Sequence, residues 1–379
     1  MFDINVYSVI NSIIGACILM ILCFLLEKLV IRGTITSTVY FLTFPLILLR
    51  LLLPVEIVDK TTLIQINKIL PSVIRLFRAE IFPMSLPVAG LNISINTITL
   101  VASCLSLVSM IKCLKIISAY YNLYIRLKYI SSTQDEKILR MLIYIKEKNN
   151  FKFNVKIIQN RLIDSPFEFG FFKQTICLPS ANYSEEELYF ILSHELYHFK
   201  NRSNWLKLFN NILAAVFWWN PLISFYHTSL LSMIEINCDE LATAGFNDHL
   251  KARYLACLLS ESHQQQRNRE SQTIHFLSSD KSSLSKRFRF ITEKHKKSKI
   301  LCCLSAFIMV KIFFASYFFM VLPYFDVPVT EVKRPEFTKE NSYILRKGDR
   351  YIIYFEDEPY IFLDSISESF WDLPIVIED

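Results

Sequence analysis

The run His194-Glu195-Leu196-Tyr197-His198 sets two imidazoles four residues apart with a carboxylate between them. On an α-helix, residues i and i+4 lie on one face, so both rings can reach a single ion. Glu195 stands about 100° round the axis from His194. There it can touch a water on that ion instead of the ion itself, which is the arrangement of a hydrolytic zinc site. The plain alternative is two surface histidines on a solvated helix.

A tetrahedral catalytic zinc takes three protein ligands and keeps one position open. His227 and His249 are candidates for the third, and Glu235 is preferred. It sits in Glu235-Ile236-Asn237-Cys238-Asp239-Glu240, where Glu235 and Asp239 share a helical face. One carboxylate can then meet the ion while Asp239, behind it, orients a ligating histidine. Cys238 is a soft-ligand competitor and reads as a packing residue. The expected site is one Zn2+ on His194, His198 and Glu235. Glu195 is its general base, passing a water proton to the departing amine of a peptide.

These residues need elements to carry them. Ser184-x-x-Glu187 is a capping box with acids in the first turn, so a helix should start there and run past His198. Val155–Gln159, Phe167–Phe171 and Thr175–Leu178 read as short strands, the last closed by Pro179. The middle one, through Phe167, Phe169 and Gly170, could take an extended substrate by edge pairing. From Leu208 to Ile234 there is no Asp, Glu, Lys or Arg. A straight membrane span would part His198 from Glu235, but Asn220-Pro221 lies midway, and proline breaks a helix at the residue before it. A helical hairpin is expected, either dipping into a membrane with Trp205, Trp218 and Trp219 at the interface, or packed as two core helices.

Across the 379 residues, 52% are hydrophobic, and the mean hydropathy is positive. Four stretches approach the roughly 20 apolar residues that cross a bilayer: Ile4–Leu26, Gly33–Leu49, Leu91–Ile111 and Ile300–Phe325. The first opens with Asp3 and reads as a retained helix, not a signal peptide. Only Lys311 interrupts the fourth, and intramembrane charge costs about 3 kcal/mol, so Lys311 is a candidate relay or ion-pair residue. Basic residues mark the cytoplasmic loops: Lys28 and Arg32, then Lys112 to Lys128, then the run from Lys286 through Arg287 to Lys299. The N-terminus, the loop after Pro54 and the tail after Asp326 should face outward. The net charge of +6 thus reads as membrane topology, with no direct nucleic-acid contact. The nine cysteines form no CxxC pair and no disulfide framework. In the tail, strands on either side of Lys347-Gly348-Asp349 suggest a hairpin.

Taken together, Ser165-Pro166-Phe167 with Phe169-Gly170, Ile176-x-Leu178-Pro179, the His194–His198 motif, Trp219-Asn220-Pro221 and Glu235-x-x-Cys238-Asp239-Glu240 resemble the BlaR/MecR-type sensor-transducer metallopeptidases. The resemblance runs from the first helix to about Phe325. It implies a mainly α-helical polytopic membrane protein of about four transmembrane helices, with an inserted α+β gluzincin-like zinc peptidase domain and a small extracytoplasmic β tail. The expected divisions are residues 1–119 with three membrane helices, 120–299 as the cytoplasmic metallopeptidase with its hairpin, 300–325 as the fourth helix and 326–379 as the tail. The implied role is transduction of an outside signal by self-cleavage or by removal of a transcriptional repressor, in an antibiotic or envelope-stress response. The implied partners are the lipid bilayer and that protein substrate, with homodimerisation left open. The chain departs from the family at Ser203, where an acid is usual, at Gln174, where proline is usual, and in its short tail without an acylatable Ser-x-x-Lys. A constitutive membrane quality-control protease and a non-enzymatic receptor or immunity protein are the alternatives.

Overall fold

The computed structural model describes residues 6–54, 63–66, 80–88, 91–268, 281–293, 296–318, 320–323, 342–347, 350–355, 358–363 and 373–377. Asp3, the Gly348-Asp349 turn and the far end of the fourth apolar stretch lie outside them. The chain forms two units, Met1–Pro323 and Tyr324–Asp379.

In the first unit, helix α1 (Val6–Ile31) is uncharged until its last turn. Gly33, at φ +67°, lets the chain leave it in a left-handed conformation. Two short helices follow, α2 (Ser37–Phe41) and α3 (Thr43–Leu52). After strand β1 (Leu63–Ile66) and the antiparallel pair β2 (Glu80–Val88) and β3 (Leu91–Asn96), α4 runs from Thr97 to Lys128. Leu91–Asn96 was expected within a helix and is a strand, because Leu91, Ile93 and Ile95 alternate with Asn92, Ser94 and Asn96, the period of two that a strand requires.

Two described helices are long and apolar enough to cross a bilayer, Ser8–Ile31 and Leu100–Lys128. The other two expected spans are shorter. Ser37–Leu52 is a brief apolar helix, and α11 (Lys299–Ala315) has 17 residues before the chain turns into strand β7 (Met320–Pro323). β7 pairs in parallel with β1, so the segment after α11 and the loop after α3 meet on one side of the molecule.

Between α4 and α11 lies an α+β unit. Helix α5 (Glu136–Lys148), capped by the Asp135 side chain, precedes a three-stranded sheet of order β4-β6-β5. Its strands are β4 (Val155–Asn160), β5 (Phe167–Phe169) and β6 (Gln174–Pro179), which leaves β5 on an edge. The turn from β5 to β6 depends on Gly170: at φ +104° its position would bring a Cβ within 2.0 Å of the Lys173 carbonyl oxygen. Helix α6 (Glu185–Lys200) begins at the expected capping box, with both Ser184–Glu187 bonds formed. It is buried all round from Phe190 to Phe199.

The chain then turns through Arg202 into α7 (Ser203–Val216), and Asn220 caps α8 (Pro221–Ala242) with Pro221 in its first turn. This is the expected hairpin. α8 packs on α1, α6, α7 and α10 (Lys281–Thr292), while Val216, Trp218, Trp219 and Phe225 leave the tip apolar and exposed. Trp205 instead joins an aromatic stack with Phe171 and Phe209. Helix α9 (Asp248–Asn268) covers the remaining side of α6. Buried hydroxyls tie α8 back to the N-terminal helices: Tyr40 to Ser229 at 2.8 Å and Thr43 to Tyr226 at 3.2 Å.

In the second unit, β8 (Ser342–Lys347) and β9 (Arg350–Phe355) form the expected hairpin. β10 (Glu358–Leu363) adds to β9, and β11 (Ile375–Ile377) adds in parallel to β8, in the order β10-β9-β8-β11.

Candidate metal centre

α6 and α8 pack so that three side chains point at one spot. His194 Nε2 is 3.1 Å from His198 Nε2 and 3.3 Å from Glu235 Oε2. His198 Nε2 is 3.6 Å from the same Glu235 oxygen. A tetrahedral ion with bonds of 2.0–2.2 Å separates its ligand atoms by about 3.3–3.5 Å. The triangle fits that size, and its donors are two imidazoles and a carboxylate, the set zinc favours. The three side chains are 7%, 2% and partly exposed in that order, so the surface-histidine alternative does not hold.

The electrostatics favour a cation at the same spot. Burial lowers the affinity of His194 for a proton, yet Asp239 and Glu235 beside it outweigh that and raise its pKa to about 10. Burial raises the Glu235 carboxyl, but Lys207 and His198 overcome it and hold it well below the usual range.

Each histidine is oriented from behind. His194 Nδ1 lies 3.1 Å from Asp239 Oδ1 and 3.1 Å from the Tyr254 hydroxyl, which donates to Asp239 at 2.6 Å. Asp239 is fully buried, and Arg287 grips it with two bonds of 2.6 and 2.7 Å. Burial pushes the Asp239 carboxyl up, and the guanidinium more than reverses this, to about 2. His198 Nδ1 meets Cys238 Sγ at 3.2 Å, so the thiol touches the ring and not the ligand side. Across the cluster, Lys207 Nζ bridges Glu168 Oε1 at 2.9 Å and Glu235 Oε1 at 3.2 Å.

Glu195 is 6% exposed, and among the described residues its Oε2 has no hydrogen-bond partner. Burial, reinforced by the charge of Glu168, drives its pKa well up. Glu168, held down to about 2 by His198 and Lys207 against its own burial, keeps its charge. Both line a cavity that opens on the cluster, with Pro166, Phe167, Tyr254, Glu261 and Arg287 among the walls.

The other expected residues fall as follows. His227 bonds Asn211 at 2.7 Å and His249 is exposed on α9; neither joins the cluster. Phe167 borders the cavity, and it packs with Phe169 in a second hydrophobic cluster where Phe169 stacks on Tyr120 at 4.8 Å. The Gly170 carbonyl accepts from Asn204 at 3.0 Å. Lys311 is exposed, with its ammonium 5.5 Å over the Phe307 ring, and meets no carboxylate among the described residues. Four contributors went unread: Glu168, Lys207, Tyr254 and Arg287. Glu168 had a signal, an acid between Phe167 and Phe169 on the opposite face of a strand. Arg287 was taken as one more cation of the Lys286–Lys299 run.

Comparison with known proteins adds a family. The sequence profile described as BlaR1 peptidase M56 matches residues 7–291. Regulatory protein BlaR1 of Bacillus licheniformis is 32% identical over 111 residues, 28% of this chain and 18% of that protein. The methicillin resistance mecR1 protein of Staphylococcus aureus is 25% identical over 144 residues, 37% of this chain and 25% of that one. Regulatory protein BlaR1 of Staphylococcus aureus is 22% identical over 248 residues, 61% of this chain and 42% of that one. The matches thus span less than half the length of these proteins.

Proposed function

The chain belongs to the BlaR1 peptidase M56 family, and from that premise we propose that it is a membrane-held zinc endopeptidase that turns a signal on one side of a bilayer into proteolysis on the other. The observation that carries the proposal is the approach of His194, His198 and Glu235 to within 3.1–3.6 Å of one another, with Glu195 buried beside them. A zinc ion held by these three supplies Lewis acidity toward a peptide carbonyl and toward water.

The protein's own groups do the rest. The unpartnered Oε2 of Glu195 receives the proton of the attacking water and delivers it to the departing amine. A divalent cation held by these ligands would favour the ionised form of Glu195, the form that can act as a base. Asp239, clamped by Arg287, fixes the His194 ring with Nε2 toward the ion. Lys207 keeps Glu168 and Glu235 ionised. Strand β5 lies at a sheet edge and its Phe167 and Glu168 line the cavity, so an extended peptide can pair with it.

The apolar helices α1 and α4, assisted by α3 and α11, hold the chain in the bilayer. The basic residues near the ends of α1, α4 and α10 support a cytoplasmic α+β unit. The substrate is a protein, with a transcriptional repressor the candidate that the family suggests. Quantitative proteomics of cells carrying the native protein or Glu195→Ala tests this. At least one cytoplasmic protein, or the chain itself, should be cut only by the native form. Identical fragment patterns in both would contradict the proposal.

A further inference from the structure

Helix α9 contributes a stripe to the cavity wall: Tyr254, Cys257, Leu258 and Glu261, spaced three and four apart on one face. Tyr254 heads the stripe at His194. Glu261 lies seven residues on, about 10 Å along the axis, which is two or three residues of an extended peptide.

The cations of the cavity already have partners, while two of its carboxyls, Glu195 and Glu261, have no ion pair among the described residues. Lys207 is engaged by Glu168 and Glu235, and Arg287 by both oxygens of Asp239. Glu195 is the proposed general base; Glu261 has no such assignment, and His194 and Arg287 act on its charge without a hydrogen bond to it among the described residues. Among the described residues its Oε1, sealed from solvent, has no hydrogen-bond partner, and Phe190, Cys257 and Leu258 line the same cavity. Burial pushes its carboxyl up to about 7. A carboxylate oxygen shut off from water without a donor is a poor structural element. It becomes a favourable one when a cation enters.

We propose that Glu261 forms a subsite that receives a cationic side chain, Lys or Arg, of the bound peptide, two or three residues from the scissile bond. This rests on the endopeptidase reading, since the subsite is defined by its distance from the cluster. A charge-assisted hydrogen bond to a lysine or arginine there restores the missing partner of Oε1. The resulting selectivity separates basic from neutral sequences, because a neutral side chain of equal length leaves the acid unpaired.

The test reads binding without turnover. The full chain carrying Glu195→Ala, zinc-loaded in lipid nanodiscs, is titrated against N-acetylated fluorescent octapeptides in which one lysine is moved through each position, with norleucine as the neutral control. We expect one register at which lysine binds about tenfold or more tighter than norleucine, and loss of that advantage to within about twofold in a Glu261→Gln background. Glu261→Gln keeps the shape and removes a buried charge, so its melting temperature should not fall; Glu261→Asp should keep part of the preference. Equal binding of lysine and norleucine in every register would overturn the subsite, as would a preference that survives Glu261→Gln. Peptides with a free α-amine form the last arm, and a preference following that amine in place of the lysine would also overturn it. Cleavage of the same peptides by protein with Glu195 intact is scored separately, so a failed endopeptidase reading leaves the binding result standing.

Discussion

At the scale of single residues, the cluster makes unequal demands on its members. Tyr254 holds His194 and Asp239 through one hydroxyl. Tyr254→Phe should therefore weaken zinc about tenfold in a chelator competition while leaving one ion per chain at saturation. Arg287 carries more. Arg287→Met leaves Asp239 ionised and buried without its cation, a change that costs about 3–5 kcal/mol, and thermal melting should show it directly. A melting temperature near that of the native chain would mean that Asp239 is neutral. His194, Glu195 and His198 were legible because helix spacing is local and a motif can state it. Arg287 and Lys207 were not, since nothing nearby in sequence distinguishes a lysine or arginine that will be buried against an acid 39 or 48 residues away.

The elements set how firmly those residues are held. Ser184 and Glu187 satisfy two amide donors at the start of α6; Ser184→Ala should cost about 1 kcal/mol without altering metal content. Gly170→Ala is the sharper perturbation. A left-handed residue with a Cβ 2.0 Å from the Lys173 oxygen must open the β5–β6 turn. A loss of about 1–3 kcal/mol is expected, together with weaker zinc binding as Glu168 and Lys207 shift. If Gly170→Ala melts like the native protein, the turn is not as drawn. The α7–α8 hairpin was readable from Asn220-Pro221 because proline acts locally. The end of α11 at Ala315 was not. Apolar residues continue beyond it, and hydropathy alone cannot separate a helix from the strand Met320–Pro323 that pairs with distant Leu63–Ile66.

For the molecule as a whole, the proposed orientation, with the α+β unit in the cytoplasm, can be tested by labelling. An engineered cysteine at Ser131, exposed after α4, should react with a membrane-impermeant maleimide only in permeabilised cells, and one at Val376 in intact cells as well. The reverse order would invert the topology. Helix α1 and the site are also joined by a half-buried link. Glu27 near the end of α1 receives Lys286 at 2.6 Å, and the next residue, Arg287, clamps Asp239. Displacement of α1 thus has a short route to His194. Beneath all of this lies the claim that two stretches of chain 37 residues or more apart close on a single ion. Elemental analysis and zinc X-ray absorption of the purified full chain, set beside Glu235→Ala, test it most directly. The account predicts one zinc per native chain with two imidazole nitrogens and a carboxylate oxygen, and a variant that loses the metal or holds it far more weakly. Zinc bound equally well, with an unchanged ligand shell, after Glu235→Ala would contradict it.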